Sequence, residues 1–179
     1  MLKKLATGLL LALGVLAAHA AASPAEYLVY KEISVHAAPK KIFPLINNSQ
    51  EMGRWMPWAE MDPQMKVSYS GPDSGVGSKA SWDSSGKMGA GSSTISESIQ
   101  NVSVKYDLEY TNPFRMKMVA EISIKPLSGE KIVRWSVSGK HEFLDRFISL
   151  ILRPFMDMDS TIGGNFNKGL AKLKALAEA

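Results

Sequence analysis

Apolar and polar residues alternate with a period of two through much of the chain. In VSVKYDLEY, Val102, Val104, Tyr106, Leu108 and Tyr110 share one side, and Ser103, Lys105, Asp107 and Glu109 share the other. That is the pattern of a strand with one wet face. In FRMKMVAEISIK, Phe114, Met116, Met118, Ala120, Ile122 and Ile124 alternate with mostly polar partners, and Asn112-Pro113 marks the turn between the two runs. In KIVRWSVSG, Val133, Trp135 and Val137 share a side, and the turn LSGE precedes it. YLVYKEISV and MKVSYS near the start read as further strands.

The period changes to that of a helix in two places. PKKIFPLIN predicts a short helix beginning at Pro39, where a missing N–H costs nothing, with Pro44 ending or kinking it. From Met158 onward, Ile162, Phe166, Leu170, Leu173 and Leu176 recur every three or four residues, with Lys168, Lys172 and Lys174 mostly off the stripe. This predicts a long amphipathic helix with one buried face. HEFLDRFISLIL reads as a shorter helical stretch ahead of it, separated by Pro154. Strands clustered apart from helices give an α+β class with an antiparallel sheet, not a doubly wound parallel one.

One stretch, GPDSGVGSKASW, from Gly71 to Trp82, has the glycine content of a phosphate-binding loop. Such a loop needs a helix directly after it, so that backbone N–H groups and the helix N-terminus face the anion. Here a short strand-like run follows, with Ser78, Ala80 and Trp82 on one side, and no Gly-Lys-Ser/Thr is present. The glycines are read as turn residues: Gly71-Pro72 closes one strand and Ser74-Gly75 turns into the next.

Composition changes the picture mainly at the N-terminus. Lys3 and Lys4 precede the apolar run LATGLLLALGVLAAHA, which ends in Ala18-His19-Ala20. A basic head, a Leu/Ala core and a small-x-small triplet read as a secretory signal over residues 1–22, cut after Ala20. An uncleaved anchor over residues 5–22 is the alternative, and membrane contact is expected only there. The expected location is periplasmic or secreted. Removing Lys3 and Lys4 from the 21 basic residues leaves 19 against 17 acidic ones, a net of +2. No basic stripe remains to suggest nucleic acid. Without cysteine the exported chain must be held by its core. Residues 25–179 form one domain, long enough to bury about 68–70% of the unfolded surface.

Several segments together are similar to the START-like (SRPBCC) superfamily of polyketide cyclases/dehydrases and lipid-transport domains. They are ISVHAAPKKIFPLI, WMPWAEMDP, YSGPDSGVGSKASWD, GAGSSTISES, NPF, VRWSVSG and GGNFNKGLAKLKALAE. The resemblance implies a helix-grip fold: a curved antiparallel sheet wrapped around the long C-terminal helix, with a cavity for a hydrophobic ligand between them. No subgroup motif is identifiable, so no catalytic residue carries over.

Candidate chemistry is sparse. His19, His36 and His141 are scattered without metal-ligand spacing, and no metal or cofactor is expected. No G-x-S-x-G elbow supports a nucleophilic serine. Asp157 and Asp159 stand beside Ser160 where the long helix starts and read as caps. Glu97 is the one candidate acid, because it shares parity with Ile95 and Ile99. If Ile95 faces the cavity, so does Glu97, where desolvation would raise its pKa for general acid or base work. The alternative is a β-bulge or strand end that turns Glu97 to solvent, favoured because Glu is seldom buried unpaired.

Trp55, Trp58, Trp82, Tyr106, Met116, Met118, Trp135 and Phe166 are the candidate ligand-binding residues. They offer broad apolar faces and adaptable thioethers. Ordinary core packing is the competing reading for more than half of them. Gly163, Gly164 and Gly169 each cost a helix about 1 kcal/mol relative to Ala. Close approach to the sheet, room for a ligand, or a kink near Gly163-Gly164 would offset that cost. The leading expectation is a protein that binds a hydrophobic small molecule or lipid under its C-terminal helix. The rivals are a cofactor-independent cyclase, dehydratase or hydrolase using an acid such as Glu97, and an interaction module with a filled core and no ligand.

Overall fold

The alternating segments pair edge to edge in one antiparallel sheet. The computed structural model describes residues 14–15, 18–19, 21–22, 26–86, 88–113, 115–127, 129–140 and 158–179. The strands are β1 (Glu26–Val35), β2 (Lys66–Ser70), β3 (Lys79–Asp83), β4 (Ala90–Ile99), β5 (Ser103–Asn112), β6 (Met116–Leu127) and β7 (Glu130–Lys140). Their order across the sheet is β1-β7-β6-β5-β4-β3-β2. Strands β2 to β7 meander, and β1 closes onto β7 over ten residue pairs from Glu26↔Lys140 to Val35↔Lys131. Between β1 and β2 lie α1 (Pro39–Ile46), α2 (Ser49–Met52) and α3 (Trp58–Met61), and the chain ends in α4 (Met158–Glu178). The sheet is curved, and the architecture is the α+β helix-grip fold expected from the sequence. The expected helical stretch HEFLDRFISLIL, with His141, Pro154 and Asp157, lies outside the described residues, as do Phe114 and most of the N-terminal leader. Among the described residues no helix is long and apolar enough to cross a membrane.

Strand parity sorts the residues onto two faces. Val35, Val133, Trp135, Val137, Ala120, Ile122, Ile124, Val104, Tyr106 and Ile95 point to the concave side and are buried. Each such large apolar side chain contributes about 1.5–3 kcal/mol on leaving water. Charged residues line the opposite face, where Lys105 pairs with Glu97, Arg134 with Glu32 and Lys117 with Glu109.

Helix α1 starts at Pro39 as expected, but Pro44 does not end it. Two more residues continue the helix, because Pro44 is solvent-exposed and so is Lys40, whose carbonyl it leaves without an N–H partner. The inward side of α1 carries Ile42, Leu45 and Ile46 into the core. Its last carbonyls are capped by aromatic tips: Trp55 Nε1 donates to Leu45 O at 2.8 Å, and the Tyr106 hydroxyl donates to Ile46 O. The glycine-rich stretch turns as expected. Gly75 N donates to Asn47 O at 2.8 Å and Gly77 N to Ile95 O at 2.8 Å, so these amides hold the loop against the domain instead of facing an anion.

Helix α4 is continuous from Met158 to Glu178 and lies mainly along β1, also touching β7 and α1. Phe166, Leu170, Leu173 and Ala177 form its buried face. Its C-terminal end is tied down by polar contacts. Glu178 Oε1 accepts from His36 N at 2.7 Å and from Lys174 Nζ at 2.8 Å, while Lys174 Nζ also donates to Ser34 O at 2.7 Å.

The three helix glycines differ in cause. A Cβ at Gly169 would sit 2.8 Å from Trp135 Cζ3 and 3.3 Å from Pro57 Cδ, so helix and core touch there through backbone. A Cβ at Gly163 would lie 2.6 Å from Lys31 Cε, the end of a flexible side chain. At Gly164 a Cβ meets nothing within 4 Å, so no contact offsets its helix cost. Chemical denaturation should therefore separate them. Gly164→Ala is expected to stabilise by up to about 1 kcal/mol. Gly169→Ala should destabilise by about 1–3 kcal/mol, since the ring it meets is wedged from both sides.

Candidate ligand-binding site

The eight aromatic and methionine candidates divide into two groups on the concave face. Trp135 on β7 is the centre of the first. Phe166 of α4 stacks on it with centroids 4.1 Å apart, and Trp55 meets it edge-on at 5.3 Å. Trp55 is 0% and Trp135 3% exposed. Tyr106 is 1% exposed and spends its hydroxyl on the Ile46 carbonyl. The expectation that Trp55, Tyr106, Trp135 and Phe166 line a hollow is therefore corrected: the space under this part of α4 is filled by these rings themselves. They are core, each placed by a packing or capping contact. Trp58 lies half-buried at the rim of this wedge, 6.3 Å from Trp135.

The second group lies farther across the sheet, toward the end where β1 begins and β7 finishes. Met118 faces Leu108, Met116 faces Tyr110, Tyr110 faces Gly91, Gly91 faces Trp82 and Trp82 faces Val67 in the cross-strand register. Met118, Leu108, Tyr110 and Trp82 are half-buried, and Met116 and Val67 are exposed. Trp82 is fixed from two sides. Its edge meets Tyr110 at 5.2 Å, and its Nε1 donates to Met88 O at 3.3 Å. Gly91 provides its seat, since a Cβ there would stand 2.6 Å from Trp82 Cζ2. Together these residues form an apolar strip left partly open on the inner face. Leu108, Tyr110 and Val67 were not singled out from sequence as site residues, although their alternation with polar neighbours was readable.

Glu97 follows the alternative favoured for it, a β-bulge that turns it away from the concave face. The register shifts between Ile95 and Glu97, with Ser96 the extra residue of a β-bulge. Ile95 pairs with Tyr106 on the inner face, whereas Glu97 pairs with Lys105 on the outer one, and its carboxylate meets Lys105 Nζ at 3.0 Å. Ser98 takes the inward position instead and bonds Asn47 Oδ1 at 2.7 Å. A catalytic acid at Glu97 is thereby excluded from the concave face.

The outer face carries its own shallow hollow of about 350 Å³, walled by Leu28, Tyr30, Glu121, Lys125, Arg134 and Ser136. There the Arg134 guanidinium sits 4.5 Å over the Tyr30 ring and meets Glu32 at 2.6 Å. Its cation is matched by a carboxylate and a ring.

The match to known proteins follows this geometry. The family model "Polyketide cyclase / dehydrase and lipid transport" matches residues 28–178. The chain belongs to that family. The match runs from β1 to the last turn of α4 and so includes both halves of the concave face. Solved structures with the same fold include the Aha1 dimer from Colwellia psychrerythraea, at 19% identity and TM-score 0.59, covering 85% of this chain and 96% of that one. Norcoclaurine synthase from Thalictrum flavum, as a point mutant with a transition-state analogue, matches at 14% identity and TM-score 0.60, covering 87% and 96%. Ginseng major latex-like protein 151 from Panax ginseng matches at 12% identity and TM-score 0.56, covering 87% and 100%. At these identities the likeness is one of fold. No curated protein matches this family member.

Burial raises the phenols of Tyr106, well above the usual value, and of Tyr110; Tyr27 is raised by burial and then by the nearby Tyr110. A raised native pKa gives stability that is complete below the unfolded phenol value of about 10 and is lost as pH climbs through the native one. In an alkaline titration followed by tyrosinate absorbance, the Tyr106 contribution should appear only as the fold is lost. Stability should be insensitive to these three groups below that value and fall above it.

Proposed function

We propose that this protein binds a hydrophobic small molecule or lipid on the concave face of the sheet, on the strip formed by Met118, Leu108, Tyr110, Trp82 and Met116. The observation that carries the reading is the unequal closure of that face. One half is sealed by the Trp55–Trp135–Phe166 wedge. The other presents adjoining apolar side chains that stay half-buried, with Met116 exposed at its edge. Methionines suit such a surface because a flexible, polarizable side chain refits to different apolar shapes. Binding would draw on apolar burial at about 25 cal/mol per Å², less the cost of ordering the ligand. Membership of a family described by lipid transport agrees with this role. A cyclase or dehydratase reading has lost its acid, since Glu97 lies on the other face.

Export belongs to the same proposal. The N-terminal leader would carry the chain across a membrane and be removed after Ala20, leaving a carrier in the periplasm or outside the cell. Native mass spectrometry of the exported protein tests both parts in one spectrum. The expected result is a polypeptide beginning at Ala21 with a fraction carrying lipid-sized adducts that hydrophobic competitors strip off. Bare protein that also fails to take up added lipid would reject the carrier and favour the filled interaction module.

A further inference from the structure

Among the described residues, Lys31 is the single charged side chain at an inward position of the sheet away from the strand ends. It lies opposite Trp135 in the register of β1 and β7, with Val29 and Ile33 beside it on the same face. Its neighbour Glu32 points outward and is matched there by Arg134. Lys31 itself is half-buried, and among the described residues its ammonium has neither an ion-pair nor a hydrogen-bond partner.

The stem of this lysine runs beneath α4. A Cβ at Gly163, which is itself buried, would stand 2.6 Å from Lys31 Cε and 3.4 Å from Nζ, so the end of the side chain lies against the helix backbone. Helix and strand run in the same direction, since Lys174 bonds Ser34 and Glu178 bonds His36 farther along both. From Lys174 back to Gly163 is about 16 Å of helix, which matches about five residues of strand. Gly163 therefore stands near Val29, and the ammonium leans from its own row toward the start of β1, the open half of the concave face. Val29 pairs with Val137 and Val137 with Ala120, and Met118 is the next inward residue of β6 beyond Ala120. The floor from Val29 to Met118 is thus apolar, over about 12 Å in the plane of the sheet.

We propose that Lys31 anchors the carboxylate of a long-chain acid whose apolar tail lies along the open strip. The inference rests on the hydrophobic-ligand reading above and narrows it to a ligand class. An ammonium has three donors and no acceptor, so it selects an anion over a neutral polar head. A charge-assisted hydrogen bond is about twice as strong as a neutral one, and partial burial against α4 shields it from the screening that weakens exposed pairs. One lysine without a protein carboxylate beside it matches one negative charge, which is what a fatty acid brings. The tail would then run over Val137 and Ala120 to Met118, Leu108 and Trp82, with its head held at the gap between β1 and α4.

The test is a displacement titration at neutral pH with bound N-phenylnaphthylamine as an uncharged fluorescent reporter, comparing dodecanoate with dodecanol. Wild-type protein should prefer the acid by about tenfold, the value of one hydrogen bond to a charged group. Lys31→Met keeps the unbranched stem under Gly163 and removes the charge; it should bring dodecanoate down to the affinity of dodecanol and leave dodecanol unchanged. Lys31→Arg restores a cation and should restore the preference. Lys168→Met removes an equal charge from the exposed side of α4 and should change nothing. Equal affinity for acid and alcohol in the wild type, a preference that survives Lys31→Met, or one lost equally in Lys168→Met overturns the anchor while leaving a hydrophobic carrier. Failure of wild-type protein to take up the reporter at all overturns the underlying reading and this inference with it.

Discussion

The structure depends on one contact more than on any other: the Trp135 ring held between Phe166 and Trp55. Trp135 projects from β7, Phe166 from α4 and Trp55 from the segment between α2 and α3. One aromatic cluster thus joins sheet, terminal helix and connecting helices. Offset-stacked and edge-on ring pairs each add about 0.5–1.5 kcal/mol beyond their buried area. Gly169 lets the helix backbone settle onto the same ring. Trp55 and Tyr106 then reach from this core to the last carbonyls of α1, which would otherwise be buried without partners.

That wedge also decides where a ligand fits. It occupies the concave face beneath the middle of α4, so an apolar guest is displaced toward β6, β5, β4 and β3. There the side chains differ in kind. They are flexible at Met116 and Met118, and rigid but only half-buried at Trp82 and Tyr110. Glycines shape both regions by subtraction. Gly169 admits Trp135, Gly91 admits Trp82 and Gly139 admits Tyr27. The sheet thereby gains aromatic surface lying flat against it without being thickened by extra side chains.

Much of this fold is legible in the sequence because a period of two leaves a strand few choices of face. The inward sets Val133-Trp135-Val137 and Ala120-Ile122-Ile124 follow directly from alternation. Alternation fails at Ser96, where a single extra residue reverses parity and moves Glu97 to the outer face. Within TISES only Glu97 itself, seldom buried unpaired, favours a bulge over a continuous strand, because serine is tolerated on either side. The site was less legible than the fold for a related reason. An apolar residue facing inward has the same pattern whether its neighbour is another side chain or a ligand. Trp135 and Met118 share that pattern, and only the positions of Phe166 and Trp55 separate a sealed ring from an available thioether. Pro44 shows the same limit locally, because a proline ends a helix only when the bond it removes cannot be replaced by water.

Methyl NMR of the methionines during titration with a hydrophobic ligand tests the division of the concave face most directly. Met118 lies on the proposed strip, whereas Met52 is sealed in the core at 5% exposure. The account predicts that the Met118 methyl shifts with saturation of binding, Met116 follows, and Met52 holds still. Movement of Met52 with Met118 unchanged would place the guest inside the aromatic wedge and contradict it.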